Sequence, residues 1–234
     1  MSTTAGSRAP ARLGLTLRQV ALSPTAGFEA AQKAAERRQK AGRRPFEGVA
    51  PWLLSAVQGA ALMLVWLKIG GLLGFREVAA ADFRWANLAA ALLLGAILVP
   101  IGLVLWGRVG PWVADMLRGG ASGRDCRVVW GFAALPQAVT VLLLLPLDLV
   151  VAGPRIFATD NLVDPVATAW AAFSTAVTLA LFVWSVWLFV RGTAVTSGLS
   201  SGRAWVAAGA AALCLSAPVV LVSFGLAEAS ARLS

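Results

Sequence analysis

Beyond residue 50 the chain settles into five long apolar runs, at about 51–74, 87–108, 128–152, 167–190 and 204–226, separated by short polar or basic stretches. Each run approaches or exceeds the roughly 20 residues that an α-helix needs to cross a hydrocarbon core about 30 Å thick. The second thins near Trp106, because Arg108, Gly110 and Pro111 interrupt it. Nothing between the runs alternates with period two for long enough to form a barrel strand. The pattern predicts an all-α fold, a polytopic membrane helical bundle of five transmembrane helices occupying residues 50–228, with a short tail at 229–234.

Residues 1–49 read differently. Met1 to Arg12 is small and polar, and Leu13, Leu17, Val20 and Ala21 then recur at a weak helical spacing. Ser23-Pro24 has the form of an N-cap followed by proline at the first helical position. It predicts a helix over 24–42, with Glu29–Lys33 and Glu36–Lys40 as i,i+4 pairs and Phe28 as its only large apolar side chain. Its basic residues (Lys33, Arg37, Arg38, Lys40, Arg43, Arg44) suit either a solvated face or a surface for anionic lipid headgroups or a partner. No apolar h-region precedes residue 50, so no cleavable signal peptide is expected.

Composition supports a bilayer as the solvent. Of the 234 residues, 59% are hydrophobic and 13% charged, against about 25% charged in a typical soluble domain; the mean hydropathy is +0.77. The net charge of +9 would fit nucleic acid, but its distribution excludes that partner. Nine of the 20 basic residues precede residue 45 and most of the rest flank apolar runs, as membrane proteins arrange charge. With the N-terminus inside, the inner segments also hold Arg108, Arg118, Arg124, Arg127, Arg191 and Arg203, whereas the outer ones hold Arg76, Arg84, Arg155 and Arg232. Fifteen against four predicts a cytoplasmic N-terminus and an external C-terminus. Trp52, Trp85, Trp106, Trp130, Trp170, Trp187 and Trp205 fall near the expected span ends, where interfacial rings belong. The excess of Arg over Lys and the abundance of Ala suggest a GC-rich bacterial source. A helical bundle then points to the inner membrane, since outer membranes take barrels.

Candidate chemistry is sparse. Histidine and tyrosine are absent, and Cys126 and Cys214 have neither metal nor disulfide spacing. No phosphate-binding loop is present. No catalytic residue, metal site or cofactor is expected, and an enzyme is not the expected reading. Two ionisable residues lie within apolar runs, Lys68 and Asp148. Lys68 is 17 residues from Pro51 and Asp148 is 20 from Val128, roughly 25 and 30 Å along their helices. Both spans run outward, so the two charges reach similar depth. They can pair between helices one and three, or each can reach headgroups alone, Lys68 by snorkelling. Gln137 follows Pro136 at mid-membrane, and Pro100, Pro146 and Pro218 add further breaks in helical bonding. Gly70 and Gly74 form one GxxxG pair, and small residues crowd the last run, both favouring close helix packing or a dimer contact.

Three local features order the chain further: Leu22-Ser23-Pro24 with Phe28; Leu117-Arg118-Gly119-Gly120-Ala121-Ser122-Gly123 followed by Trp130-Gly131-Phe132-Ala133-Ala134-Leu135-Pro136-Gln137; and the small-residue turn from Gly198 to Arg203-Ala204. Over about residues 20–228 this resembles the Yip1 domain family, with Gly119, Gly120, Pro136 and Gln137 in its loop and third-helix pattern. The resemblance implies a five-helix bacterial-type member with a cytoplasmic N-terminus that assembles with other membrane proteins. The usual third-helix tyrosine and the eukaryotic Asp-Leu-Tyr-Gly-Pro motif are absent, so Rab binding and vesicle traffic are not carried over. The expected function is a non-catalytic scaffold or adaptor associating with other membrane proteins or with itself. The alternative is a small permease, channel or lipid-translocating protein using the polar groups of span three.

Overall fold

Proline and small polar residues set the helix limits in the computed structural model, which describes residues 23, 25–30, 50–72, 85–157 and 164–233, with 50, 71–72 and 218–233 by their backbone. All regular structure among these residues is helical. In chain order α1 is Ala50–Leu72, α2 Trp85–Met116, α3 Gly123–Ala133, α4 Leu135–Val139, α5 Leu145–Val151, α6 Pro165–Ser197 and α7 Ser201–Leu233. A π-helical turn, Thr140–Leu144, joins α4 to α5, and a 3-10 turn, Gly153–Phe157, follows α5. Among the described residues four stretches are long and apolar enough to cross a membrane: Pro51–Gly70, Trp85–Met116, Gly123–Val151 and Pro165–Ser197. The last apolar run of the sequence lies within α7.

The helix ends follow capping chemistry. α6 begins with Pro165 behind Asp164, whose carboxylate accepts from the Val166 and Ala167 amides at 3.0 and 3.3 Å. It ends at Gly198, held at φ 64, where a side chain would be strained. α3 opens with a capping box: Ser122 Oγ accepts from the Asp125 amide at 3.1 Å, and Asp125 Oδ2 accepts from the Ser122 amide at 3.0 Å. These local bonds start the helix five residues before the apolar run suggests.

α2 runs to Met116, past the limit near 108 expected from its sequence. Pro111 lacks the amide that would bond the Gly107 carbonyl. Gly123, at the start of α3, packs against that carbonyl so closely that a Cβ there would overlap it. A second chain segment thus covers the defect, and the helix continues. It closes in a Schellman turn, with Arg118 at φ 61 and the Gly119 amide bonded to the Ala114 carbonyl at 2.9 Å.

The third span is a broken helix. Ala134 interrupts it ahead of Pro136, and the π turn precedes Pro146, with the Leu145 amide reaching back to the Thr140 carbonyl. Each proline removes one helical donor, and the backbone re-pairs with a different period nearby.

Two apolar cores hold the helices. The first, at the end carrying the 117–123 and 197–201 turns, gathers Leu103, Trp106, Val129, Trp130, Leu188, Phe189, Ala204 and Ala207. The second, at the opposite end, gathers Leu64, Leu67, Leu88, Ile156, Phe157, Ala167 and Ala171. Trp106 and Trp130 are 1% and 5% exposed, which corrects their expected interfacial placement: both rings pack on Phe189, at 5.8 and 6.0 Å between centroids. Trp52, Trp85, Trp187 and Trp205 do face outward.

The N-terminal segment contributes to the first core. Residues 25–30 are helical, with the Gly27 amide bonded to the Ser23 carbonyl at 2.8 Å. Phe28 is 1% exposed and meets Phe132 edge-on, 6.4 Å between centroids. The remainder of the expected 24–42 helix, with Arg37, Arg38, Lys40, Arg43 and Arg44, lies outside the described residues.

Candidate functional site

On both the third span and α6, polar positions fall between residues of the two apolar cores. Gln137, Thr140 and Asp148 lie on the former, and Ser174, Thr175, Thr178 and Ser185 on the latter. At the second-core end the charges meet. Lys68 Nζ lies 2.5 Å from Asp148 Oδ2 and donates to Ser174 Oγ at 2.8 Å. Ser174 Oγ donates to Asp148 Oδ1 at 2.6 Å, and the Trp170 indole donates to the same oxygen at 3.0 Å. Lys68, Ser174 and Asp148 are all 0% exposed. Lys68 therefore does not snorkel to the surface. Its charge is held inside the bundle by three helices, α1, α5 and α6.

Burying a charge in a low-dielectric interior is costly unless it is paired and its remaining valences are hydrogen-bonded. This cluster meets that condition through a hydroxyl and an indole as well as the counter-ion. Ser174 is itself held, because Thr178 Oγ1 donates to its carbonyl at 2.8 Å. Sequence reading singled out Lys68 and Asp148 but missed Ser174 and Trp170. Their signal was faint: a serine in a span rich in alanine, and an indole that looked like an interfacial ring.

Closer to the first core the polar groups are less completely paired. Gln137 is fully buried and its Nε2 donates to Ser185 Oγ at a long 3.5 Å. Gln137 Oε1, Thr140 Oγ1, Ser55 Oγ and Gln58 Oε1 are buried with no hydrogen-bond partner among the described residues. Pro136 is buried beside Gln137 at the start of α4.

Gly119 and Gly120, in the 117–123 turn, have different work. A Cβ on Gly119 would lie 2.5 Å from the Ser197 carbonyl oxygen and 2.6 Å from Leu199 Cδ2, whereas one on Gly120 would meet nothing within 4 Å. Gly120 instead gives its amide to the Ser197 carbonyl at 3.0 Å. That bond ties the α2–α3 turn to the end of α6. Phe28 enters within two turns of it, against Gly192, where a Cβ would lie 2.7 Å from Phe28 Cζ.

The order of these parts matches a known family. The Yip1 domain profile covers residues 18–224, most of the chain and every feature above. The chain belongs to the Yip1 domain family. It is an integral membrane protein, and the Yip1 family is one of non-enzymatic membrane proteins. Neither the curated proteins nor the solved structures provide a match. Within the Yip1 match lie both the Phe28 docking and the Gly119–Gly120 turn.

Proposed function

We propose that this Yip1 domain protein is a membrane adaptor: a five-span bundle, N-terminus in the cytoplasm and C-terminus outside, that associates with other membrane proteins. Bacterial inner membrane is the proposed location, with α7 as the fifth span; its 33 residues contain the last apolar run. The excess of arginine and lysine on the N-terminal side supports the orientation.

One observation carries the adaptor reading. Phe28 is seated between α3 and α6 at the same end as the turn bonded to Ser197. The N-terminal segment is thereby fixed to the bundle, and the basic stretch Lys33–Arg44 begins within five residues of that anchor. In this reading the basic stretch and the Gly119–Gly120 turn form one cytoplasmic face for anionic headgroups and a protein partner.

Purification from native membranes in mild detergent, with mass and co-purifying proteins determined together, tests the reading. A partner at fixed stoichiometry, lost when Arg37, Arg38, Lys40, Arg43 and Arg44 become Gln or on Gly119→Val, supports it. A chain that arrives alone and unpartnered defeats it. The unpaired amide and hydroxyl oxygens around Gln137 favour the second reading, a permease. An adaptor retains its partner when Gln137 becomes Leu, while a permease loses flux.

The anchor itself is testable. Phe28→Ala removes a ring whose truncation in a packed core costs about 3–5 kcal/mol, and Gly192→Ala displaces the same ring. Phe28→Ala is expected to speed tryptic cleavage on the N-terminal side of α1 and, at about 2–4 °C per kcal/mol for a chain of this size, to lower the unfolding temperature by about 6 °C or more; Gly192→Ala should act in the same direction. Unchanged proteolysis in both would show that Phe28 does not hold the segment.

A further inference from the structure

Gly107 leaves a notch in the surface of α2 beside the start of α3, and the side chain of Arg127 lies across it. A Cβ on Gly107 would stand 2.8 Å from Arg127 Nη1, 3.0 Å from its Cγ and 3.2 Å from its Cδ. We propose that Arg127, with Arg108 beside it, binds the phosphate of an anionic phospholipid at the end of the bundle that carries the 117–123 turn. The site is separate from the Lys33–Arg44 stretch and does not rest on the adaptor reading.

Three observations select that ligand. First, the guanidinium is held but unpaired. Arg127 is half-buried with its stem on α2, so it has given up part of its hydration and rotamer freedom. Among the described residues it has neither a hydrogen-bond acceptor nor a carboxylate within ion-pair distance. Asp125 is turned to Ser122 in the capping box, and Asp115 stands two turns along α2 from Arg108. The fork of guanidinium donors matches a phosphate bidentately. Second, the neighbour is another cation. Arg108 follows Gly107, is exposed, and also has no carboxylate partner among the described residues. Two positive charges favour a lipid of net negative charge over a zwitterionic one, whose own ammonium they repel.

Third, the depth is that of headgroups. Gly107 lies 22 residues beyond Trp85, roughly 33 Å along α2, close to the thickness of the hydrocarbon core. Trp85 is 56% exposed near one boundary and Trp112 62% exposed near the other, as interfacial rings are. Helical side chains lean toward the N-terminus of their helix, and α3 starts at this end. Arg127 Nη1 accordingly lies toward Gly123, 3.8 Å from where a Cβ would stand there, and away from the bilayer centre. The positive charge of this end follows from topology, but topology does not seat one arginine across a glycine. Arg118 and Arg203 are simply exposed, whereas Arg191 lies over the Trp187 ring, 5.6 Å from its centroid.

The test titrates the purified full chain in mild detergent with phosphatidylglycerol or phosphatidylcholine of the same acyl chains, counting bound lipid by native mass spectrometry. Phosphatidylglycerol is expected to bind about tenfold more tightly. Arg127→Gln should remove that preference, a loss of about tenfold, the equivalent of one charge-assisted hydrogen bond. Gly107→Ala keeps the net charge and displaces only a flexible side chain. It should fold, and weaken phosphatidylglycerol binding by about threefold or more as the fork is moved off its seat. Arg118→Gln and Arg203→Gln remove the same charge elsewhere and should each change binding by less than about twofold. Equal losses for all three arginines would make the attraction diffuse and overturn the site. A Gly107→Ala chain that binds like the parent, or a parent that does not distinguish the two lipids, overturns it as well. Inorganic phosphate and glycerol 3-phosphate serve as competitors. If either displaces the lipid at comparable concentration, the site belongs to a soluble phosphate and the lipid assignment fails.

Discussion

Lys68→Met and Asp148→Leu, made singly, are each expected to destabilise the bundle by about 3–5 kcal/mol, because each leaves the other charge buried without its partner. The double replacement should come close to the parent, since well-packed apolar residues of similar volume often replace a buried ion pair at little loss. Their coupling in a double-mutant cycle is then nearly the sum of the two single losses, about 6 kcal/mol or more, read from reversible unfolding in mixed micelles. Ser174→Ala should lose less, about 1–1.5 kcal/mol, as it removes one hydroxyl that bridges Lys68 Nζ and Asp148 Oδ1. Additive losses for the two charge replacements would mean that the ion pair does not contribute. The pair joins α1 to α5, with Ser174 and Trp170 drawing in α6. It is therefore a lock between three spans rather than a surface contact, for which the same geometry would be worth little.

Gly95→Leu is expected to destabilise by about 3 kcal/mol or more, at the upper end for overpacking. α1 and α2 form the most extensive helix pair, and they cross where Gly59 faces Gly95. A Cβ on either glycine would overlap the carbonyl oxygen of the other. The obstacle is backbone, so no rotamer relieves it and the helices must separate. Gly59→Ala and Gly95→Ala should each lower the unfolding temperature, and together lower it by less than the sum, because one displacement accommodates both methyls. Gly209→Ala is the control: its Cβ meets nothing within 4 Å, and alanine improves helix propensity by up to about 1 kcal/mol. If Gly95→Ala behaved like Gly209→Ala, the close crossing would be wrong.

Neither crossing glycine stood out in the sequence. The GxxxG pair at Gly70 and Gly74 did, and Gly74 lies outside the described residues. Gly59 and Gly95 belong to different helices, so their partnership has no spacing to betray it. The same reason hid Ser174 and Trp170 from the Lys68–Asp148 cluster, and hid the role of Gly192 as the floor beneath Phe28. Trp106 and Trp130 show the opposite error. Their positions near helix ends suggested the interface, but rotation about the helix axis turned both rings inward onto Phe189.

What the sequence determined by itself was what depends on composition and local spacing. Runs of apolar residues select helices in a bilayer, because every backbone amide there must be bonded within its own segment. The small-residue turn from Gly198 to Arg203 marked the junction between the last two runs, whereas the equally local caps Ser122 with Asp125 and Asp164 with Pro165 went unread, so α3 and α6 begin before their apolar runs. The rarity of charge in the spans isolated Lys68 and Asp148 as the two residues with something to explain. Tertiary structure alone decided which faces meet: the glycine crossing, the serine and indole that complete the ion pair, and the packing of Gly123 over the carbonyl that Pro111 leaves free. Those depend on the relative rotation and depth of helices distant in sequence. In a membrane, where apolar faces are nearly equivalent toward lipid and toward one another, these are set by close packing and a few polar bonds rather than by hydrophobic pattern.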